Sequence, residues 1–264
     1  MILRKPLHVF SAVIRALFLR ELELRMSAGK TGLFWTFSEP FFQIFIFIII
    51  RLIIVNGTGQ SAITHYDYAV FMASGFVAFN IFKSILSTSS GAFMANKALF
   101  SYKQVKPIDT IVGRVMIELF LSSIIMFIFL LIGFFFQYDN FLPDNTLLVF
   151  AGYLWFVIFS FAISLVVAIG NSFFLSIGKF ISIISFGLLI FSAVFFPLIS
   201  LPPVAQEILL YNPLVHFMEM IHGAYLDGLD DRFVDYHYML LWTVIPLFVG
   251  FWLYIKLEKR LISS

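Results

Sequence analysis

Six long apolar runs, Phe34–Val55, Tyr68–Ser87, Ile108–Phe136, Thr146–Ile169, Phe180–Ile199 and Tyr238–Leu257, alternate with short polar connections. A bilayer core takes about 20 apolar residues per helix at roughly 1.5 Å rise each, so each run predicts a membrane-crossing helix. Two stretches break this rhythm. Residues 1–33 are too polar to span, yet Val9, Phe10, Val13, Ile14, Leu17 and Leu24 share one arc of a helical wheel. That pattern predicts a helix lying in the membrane interface, with its basic residues toward lipid phosphates or a partner. Within it Glu21 and Arg25, at i and i+4, are spaced to pair.

The second exception lies between the fifth and sixth runs. Pro202-Pro203 predicts the start of a short helix reaching Tyr211, and Asn212 predicts the cap of another running from Pro213 toward Leu226. Helices of about 10–14 residues are too short to span, and these are too apolar for open water, so they read as re-entrant. Backbone broken at membrane depth must be covered by protein or line a water-filled cavity. The expected fold is therefore all-α, a single polytopic domain over 1–264. It comprises an interface helix within 1–33, six transmembrane helices within 34–257 with a helical hairpin between the fifth and sixth, and a tail at 258–264.

Composition and charge then fix the class and orientation. Hydrophobic residues make up 61% of the chain, 36 residues are Phe, and only 12% are charged. A soluble domain of this length has no core large enough to hide so much apolar surface. Lys and Arg stay in short cytoplasmic loops. With both termini inside, all but Arg51 and Arg232 of the 17 Lys and Arg residues fall on that side. Asp139, Asp144, Asp227, Asp230, Asp231 and Asp235 fall on the other. The net charge of +2 averages two unlike faces. There is no Cys, hence no disulfide or thiol chemistry. Arg15, Arg20, Glu21 and Glu23 interrupt the first apolar stretch. The first membrane helix is therefore expected to act as an uncleaved signal.

The connecting segments carry the candidate chemistry. Between Gly91 and Pro107, Leu99, Phe100 and Tyr102 lie among Lys97, Lys103 and Lys106. Aromatics ringed by charge suit a docking surface for another protein, and they equally suit a loop packed on its own helices. Residues 171–179 form a shorter inner connection open to the same two readings. Gly29-Lys30-Thr31 has Leu24 where a phosphate-binding loop needs Gly, so the chain lacks that nucleotide motif. It also lacks HExxH and GxSxG. His216, Glu219 and His222 are spaced by three on the second short helix. Positions i and i+6 splay roughly 120° apart, which favours hydrogen bonds across the hairpin over a metal site.

Ionisable residues inside the spans are function candidates by default. Glu39 precedes Pro40 near the inner end of the first span, where it can cap or brace the interface helix. Arg114 and Glu118 are one turn apart and are expected to pair. Arg51 is placed to snorkel outward or to face an anionic cargo. Neither Glu lies where a proton-driven carrier would need it, near mid-membrane. Aromatic faces stack on the C–H faces of sugars, so part of the first span's set, Trp35, Phe41 and Phe45, is a candidate lining for a glycan passage with Arg51 near its mouth. Most Phe residues are expected to be packing bulk or lipid-facing.

Three stretches resemble the membrane subunits of ABC-2 type polysaccharide exporters, the capsule and O-antigen permeases. They are Leu19-Arg20-Glu21-Leu22 with Arg25, Gly32-Leu33-Phe34-Trp35 followed by Glu39-Pro40, and Tyr211-Asn212-Pro213-Leu214 with His216 and Glu219. Their order, their spacing and the six runs agree over nearly the whole chain. The departure is His222, where relatives often carry Arg. The resemblance implies a half-transporter in the inner membrane rather than an enzyme. Two copies would enclose a channel for a lipid-linked polysaccharide, and capsule export fits somewhat better than O-antigen export. A separate cytoplasmic ATPase would hold ATP and Mg, leaving no cofactor in this chain. Periplasmic and outer-membrane export proteins would receive the glycan, and nucleic acid has no part. On this reading Arg20, Glu21 and Arg25 belong to the interface helix, and Leu99, Phe100, Tyr102 and Lys103 couple to the ATPase. Tyr211, Asn212, Pro213, His216 and Glu219 form an outer gate. An ABC-2 exporter of a drug or small lipid shares the architecture. An integral membrane transferase would need a polar cluster, for which only His216, Glu219 and His222 offer themselves.

Overall fold

Each apolar run folds as helix over at least part of its length, and side chains at the boundaries set where helices begin. The computed structural model describes residues 6–27, 32–58, 67–135, 142–226, 229 and 231–263. In chain order the helices are α1 Pro6–Ser27, α2 Gly32–Thr58, α3 Tyr68–Ser90, α4 Ala92–Ala95, α5 Pro107–Phe135, α6 Thr146–Phe173, α7 Ser176–Ile190, α8 Pro203–Leu209, α9 Pro213–Tyr225 and α10 Tyr236–Ser263. No strand occurs among the described residues. Asp67 opens α3 by accepting from the N–H groups of Ala69 and Val70, at 2.8 and 3.2 Å. Asn145 opens α6 by accepting from Leu148 N–H at 3.0 Å. Each satisfies donors that a helix start leaves without a partner.

The core forms around α6, which packs against α3, α9 and α10. Phe82, Phe156, Phe159 and Phe217 bring rings from α3, α6 and α9 together, with centroids 4.8–6.0 Å apart. All four are buried. Offset aromatic pairs at these separations add about 0.5–1.5 kcal/mol each beyond area burial. This part of the Phe content is packing bulk. At one end of α3, Phe71 stacks on His222 of α9. At the other end, α3 meets the segment containing α4. With 23 residues in α3, these two ends lie roughly 30 Å apart.

Four helices among the described residues are long and apolar enough to cross a membrane, α3, α5, α6 and α10. The first and fifth expected spans contribute shorter apolar stretches, Phe37–Ile50 and Ser176–Ile190. The fifth differs most from expectation. It was expected over Phe180–Ile199, but α7 starts at Ser176 and ends at Ile190. The chain then turns, with Ala193 at φ 56 and Ser192, Ala193 and Val194 completely buried. Val194 and Leu198, expected to continue a membrane helix, fill the protein core instead. The inner connection expected at 171–179 shrinks to Phe174 and Leu175, because α6 runs to Phe173.

Candidate functional site

The Lys-rich end of the bundle is tied together by charge. Residues 91–106 form α4 and a 3-10 turn, Lys97–Ser101, rather than an open loop. Phe100 is buried in the core beside Phe93 and Ile111, so it is unavailable as a surface anchor. Leu99 is half-buried, while Tyr102 and Lys103 are exposed. Of the four residues expected to couple to an ATPase, these last two present surface.

The interface helix departs from expectation in its charges. Arg20 and Arg25 both engage groups within the protein. Arg20 donates to the Asn96 side chain at 2.6 Å, and Asn96 is anchored by donating to the Ala92 carbonyl at 2.8 Å. Arg25 pairs with Glu118 of α5. Glu21 faces Arg114 of α5 at 4.0 Å, and Arg114 also donates to the Thr88 carbonyl in the last turn of α3. The two expected i, i+4 pairs, Glu21–Arg25 and Arg114–Glu118, thus give way to two pairs between helices. The reason is geometric: α1 packs on α5, with Leu17 against Gly113, and each charge meets an opposite one across the seam. Glu39 does not brace α1. It accepts from Gln43 at 3.1 Å and faces Lys83 of α3 at 3.6 Å.

Along α2, Phe41 and Phe45 share one helix face and line an apolar groove of about 680 Å³ with Phe34, Phe37, Phe129 and Ile132. Phe41 stacks on Phe129 of α5, with ring centroids 4.5 Å apart, whereas Phe45 is 61% exposed. Trp35 and Arg51 lie on α2, but their side chains fall outside the described ones.

The opposite end carries the hairpin, close to its predicted form. Helix α8 begins at Pro203, and Asn212 caps α9 by accepting from Leu214 N–H at 3.1 Å, with Pro213 in its first turn. The Asn212 amide also donates to the Phe191 carbonyl at 2.9 Å and to Ser192 Oγ at 3.0 Å. One side chain therefore joins the hairpin corner to the break after α7. His216 Nε2 donates to the Leu210 carbonyl at 2.9 Å, and its Nδ1 accepts from Asp235 N–H at 3.1 Å. This pairing requires the neutral Nε2–H tautomer. The Tyr238 N–H, donated to Asp235, holds that carboxyl below its usual range. Glu219 Oε1 accepts from Leu198 N–H at 2.8 Å. Tyr211 is exposed, and its carbonyl accepts from Tyr238 Oη at 2.7 Å.

His216 therefore makes the cross-hairpin hydrogen bond expected from the sequence, whereas Glu219 reaches the 3-10 turn Leu198–Ser200 that precedes the hairpin. His222 instead packs face-on against Phe71, with ring centroids 3.9 Å apart, over Gly75. A Cβ at Gly75 would fall 2.6 Å from its Nε2. Sequence reasoning missed this Phe71–Gly75–His222 stack; a Phe-x-x-x-Gly step inside an apolar span was the one signal available. Among the described residues no group of His, Cys, Asp or Glu is arranged to hold a metal.

The model of the ABC-2 type transporter family matches residues 12–226. The chain is similar to the polysialic acid transport protein KpsM of Escherichia coli, with 32% identity over 265 residues covering 99% of both chains. It is 28% identical to the capsule polysaccharide export inner-membrane protein BexB of Haemophilus influenzae over 222 residues, 84% of this chain and 82% of BexB. With the capsule polysaccharide export inner-membrane protein CtrC of Neisseria meningitidis serogroup A it shares 26% identity over 242 residues, 90% of this chain and 88% of CtrC.

Proposed function

The chain belongs to the ABC-2 type transporter family, and from that premise we propose that it is the membrane subunit of an ATP-driven exporter carrying a capsular or surface polysaccharide across the inner membrane. The observation that carries this reading is the end-to-end likeness to KpsM, over 99% of each chain. Two copies form the channel, and each rests on a cytoplasmic ATPase that supplies nucleotide and Mg. The glycan travels on a lipid anchor and passes to periplasmic and outer-membrane export proteins. Both termini face the cytoplasm, so the Lys-rich end with α1 and α4 meets the ATPase and the α8–α9 hairpin closes the outer mouth.

In that arrangement Tyr102 and Lys103 contribute to ATPase docking. Arg20, Glu21 and Arg25 hold the interface helix in place. Tyr211, Asn212, Pro213, His216 and Glu219 shape the gate, and Trp35, Phe41, Phe45 and Arg51 line part of the conduit. The chemistry supports these roles: the polar residues of α9 hold irregular backbone, which suits an element that must be closed but not welded.

The test is co-expression with a candidate ABC ATPase subunit from the same organism, followed by immunoprecipitation and an assay of polysaccharide at the cell surface. Joint purification, with export lost when the ATPase is inactivated, is expected. Surface polysaccharide that persists with an inactive ATPase would exclude an ATP-driven exporter. Export of a small lipid or drug but of no glycan would point to the other ABC-2 cargo class.

A further inference from the structure

The α1–α5 seam carries an ordering of charge that the exporter reading alone does not require. Along α1 the order is Glu21 then Arg25, one turn apart, and along α5 it is Arg114 then Glu118, also one turn apart. Glu21 faces Arg114 at 4.0 Å, and Arg25 pairs with Glu118. The side chains are mostly shielded, from 6% exposed for Glu118 to 21% for Glu21. If α1 slid along its own axis by one turn, about 5.4 Å, Arg25 would arrive at Arg114. A slide the other way would bring Glu21 to Glu118. Either step replaces attraction by like-charge repulsion in a shielded setting.

Shielded ion pairs add little net stability over apolar residues of the same shape, but a charge left there without its partner is strongly disfavoured, and fixing register is their best-attested use. The backbones are also close. Gly113 has no side chain, and a Cβ placed there would fall 3.2 Å from Leu17 Cβ. The same α1 surface holds the Lys-rich segment through Arg20 and the buried Asn96.

We infer that α1 and the first turns of α5 move as one body, kept in register by the alternating pairs Glu21–Arg114 and Arg25–Glu118, so that displacement of the Lys-rich segment is delivered to α5 without slippage. These four residues are positioning residues. They touch no cargo and act through α5. The inference rests on the exporter reading, since it supplies the ATPase that moves the segment. Arg114 adds a third attachment by donating to the Thr88 carbonyl, which brings the end of α3 into the same body.

The chain has no Cys, so a disulfide can be introduced at this seam alone. Leu17→Cys with Gly113→Cys places two Cβ atoms 3.2 Å apart, so the helices need only part by about half an ångström to reach the usual disulfide separation of about 3.8 Å. In the complete permease–ATPase complex, the oxidised form is expected to export polysaccharide as fast as the reduced form. Export arrested by oxidation and restored by reductant would overturn the inference, because it would mean that α1 must move against α5. Failure of the unsubstituted complex to export at all would count against the exporter reading instead.

A second variant separates register from pairing. Arg25→Glu with Glu118→Arg keeps two ion pairs, yet the carboxylate introduced at position 25 can pair with Arg114 after a one-turn slide. The variant is expected to assemble and hydrolyse ATP while losing export, and the 17–113 disulfide is expected to restore it. Export at the parent rate without the disulfide, or no restoration with it, would overturn the register argument.

Discussion

Replacing Asn212 by Ala removes three hydrogen bonds from one partly buried side chain. Its oxygen caps α9 through Leu214 N–H at 3.1 Å, and its amide holds the Phe191 carbonyl and Ser192 Oγ at 2.9 and 3.0 Å. Loss of the cap costs about 1 kcal/mol. The two amide bonds are neutral and lie in partly exposed surroundings, so together they contribute about another 1 kcal/mol. The sum, about 2 kcal/mol, is a factor of about 30 in a local opening equilibrium. It is far too small to unfold a domain whose Phe cluster and helix seams are untouched.

Hydrogen exchange read by mass spectrometry resolves this prediction by segment. Exchange should rise by about that factor across the hairpin, including the start of α9, and in residues 191–192, while α3 and α6 stay protected. Asn212→Asp divides the effect: the carboxylate still caps Leu214 N–H but cannot donate to the Phe191 carbonyl. It should loosen residues 191–192 while α9 stays capped. If Asn212→Ala left exchange in both places unchanged, the claim that this side chain joins the hairpin to the end of α7 would fail. If exchange rose as expected while export stayed normal, the gating role would fail and the structural one would stand.

Three further outcomes follow from burial. Tyr102→Glu with Lys103→Glu should weaken co-purification of the ATPase without lowering the permease's thermal stability, whereas Phe100→Ala should cost about 3–5 kcal/mol of that stability because its ring is buried. Equal effects of the two changes on co-purification and stability would refute the division between surface and core. Gly75→Ala drives a methyl group into His222, 2.6 Å away, and should destabilise the α3–α9 seam by about 1–3 kcal/mol; unchanged thermal stability would mean that the hairpin is not seated there. Phe41→Leu should cost about 1 kcal/mol through its lost stack on Phe129, while Phe45→Leu should leave stability unchanged. Loss of export in Phe45→Leu at normal protein levels would place that ring in the passage, and full export would remove it.

The helices at 68–90, 107–135, 146–173 and 236–263 were legible from apolar run length alone, and the Asn212-Pro213 cap from residue type. The break after Ile190 was not. Phe191, Val194 and Phe195 satisfy a lipid-filling pattern as well as a core-filling one. The side chain that holds the turn, Asn212, lies some 20 positions further on, where no local periodicity registers it. The charges at the Lys-rich end failed differently. Spacing by four marks Glu21–Arg25 and Arg114–Glu118 as candidates within each helix, but a packed seam offers each group an opposite charge across the helices. Phe100 was ambiguous because a 3-10 turn has too few residues to show a face.

His216 and Glu219, which look from spacing like part of a metal or catalytic set, acquire another explanation once their partners are known. Asn212 holds the carbonyl of Phe191, His216 holds the carbonyl of Leu210 and the N–H of Asp235, and Glu219 holds the N–H of Leu198. Every one of those backbone groups lies where the chain leaves α7, α8 or the approach to α10. A helix satisfies its own backbone, but a break in apolar surroundings does not, and each group left unmet costs about 1–3 kcal/mol. The polar side of α9 therefore supplies partners for three interruptions, as broken backbone in apolar surroundings requires. The transferase alternative loses its cluster by the same argument: Glu219 and both nitrogens of His216 are engaged in holding backbone, and His222 is stacked beneath them against Phe71.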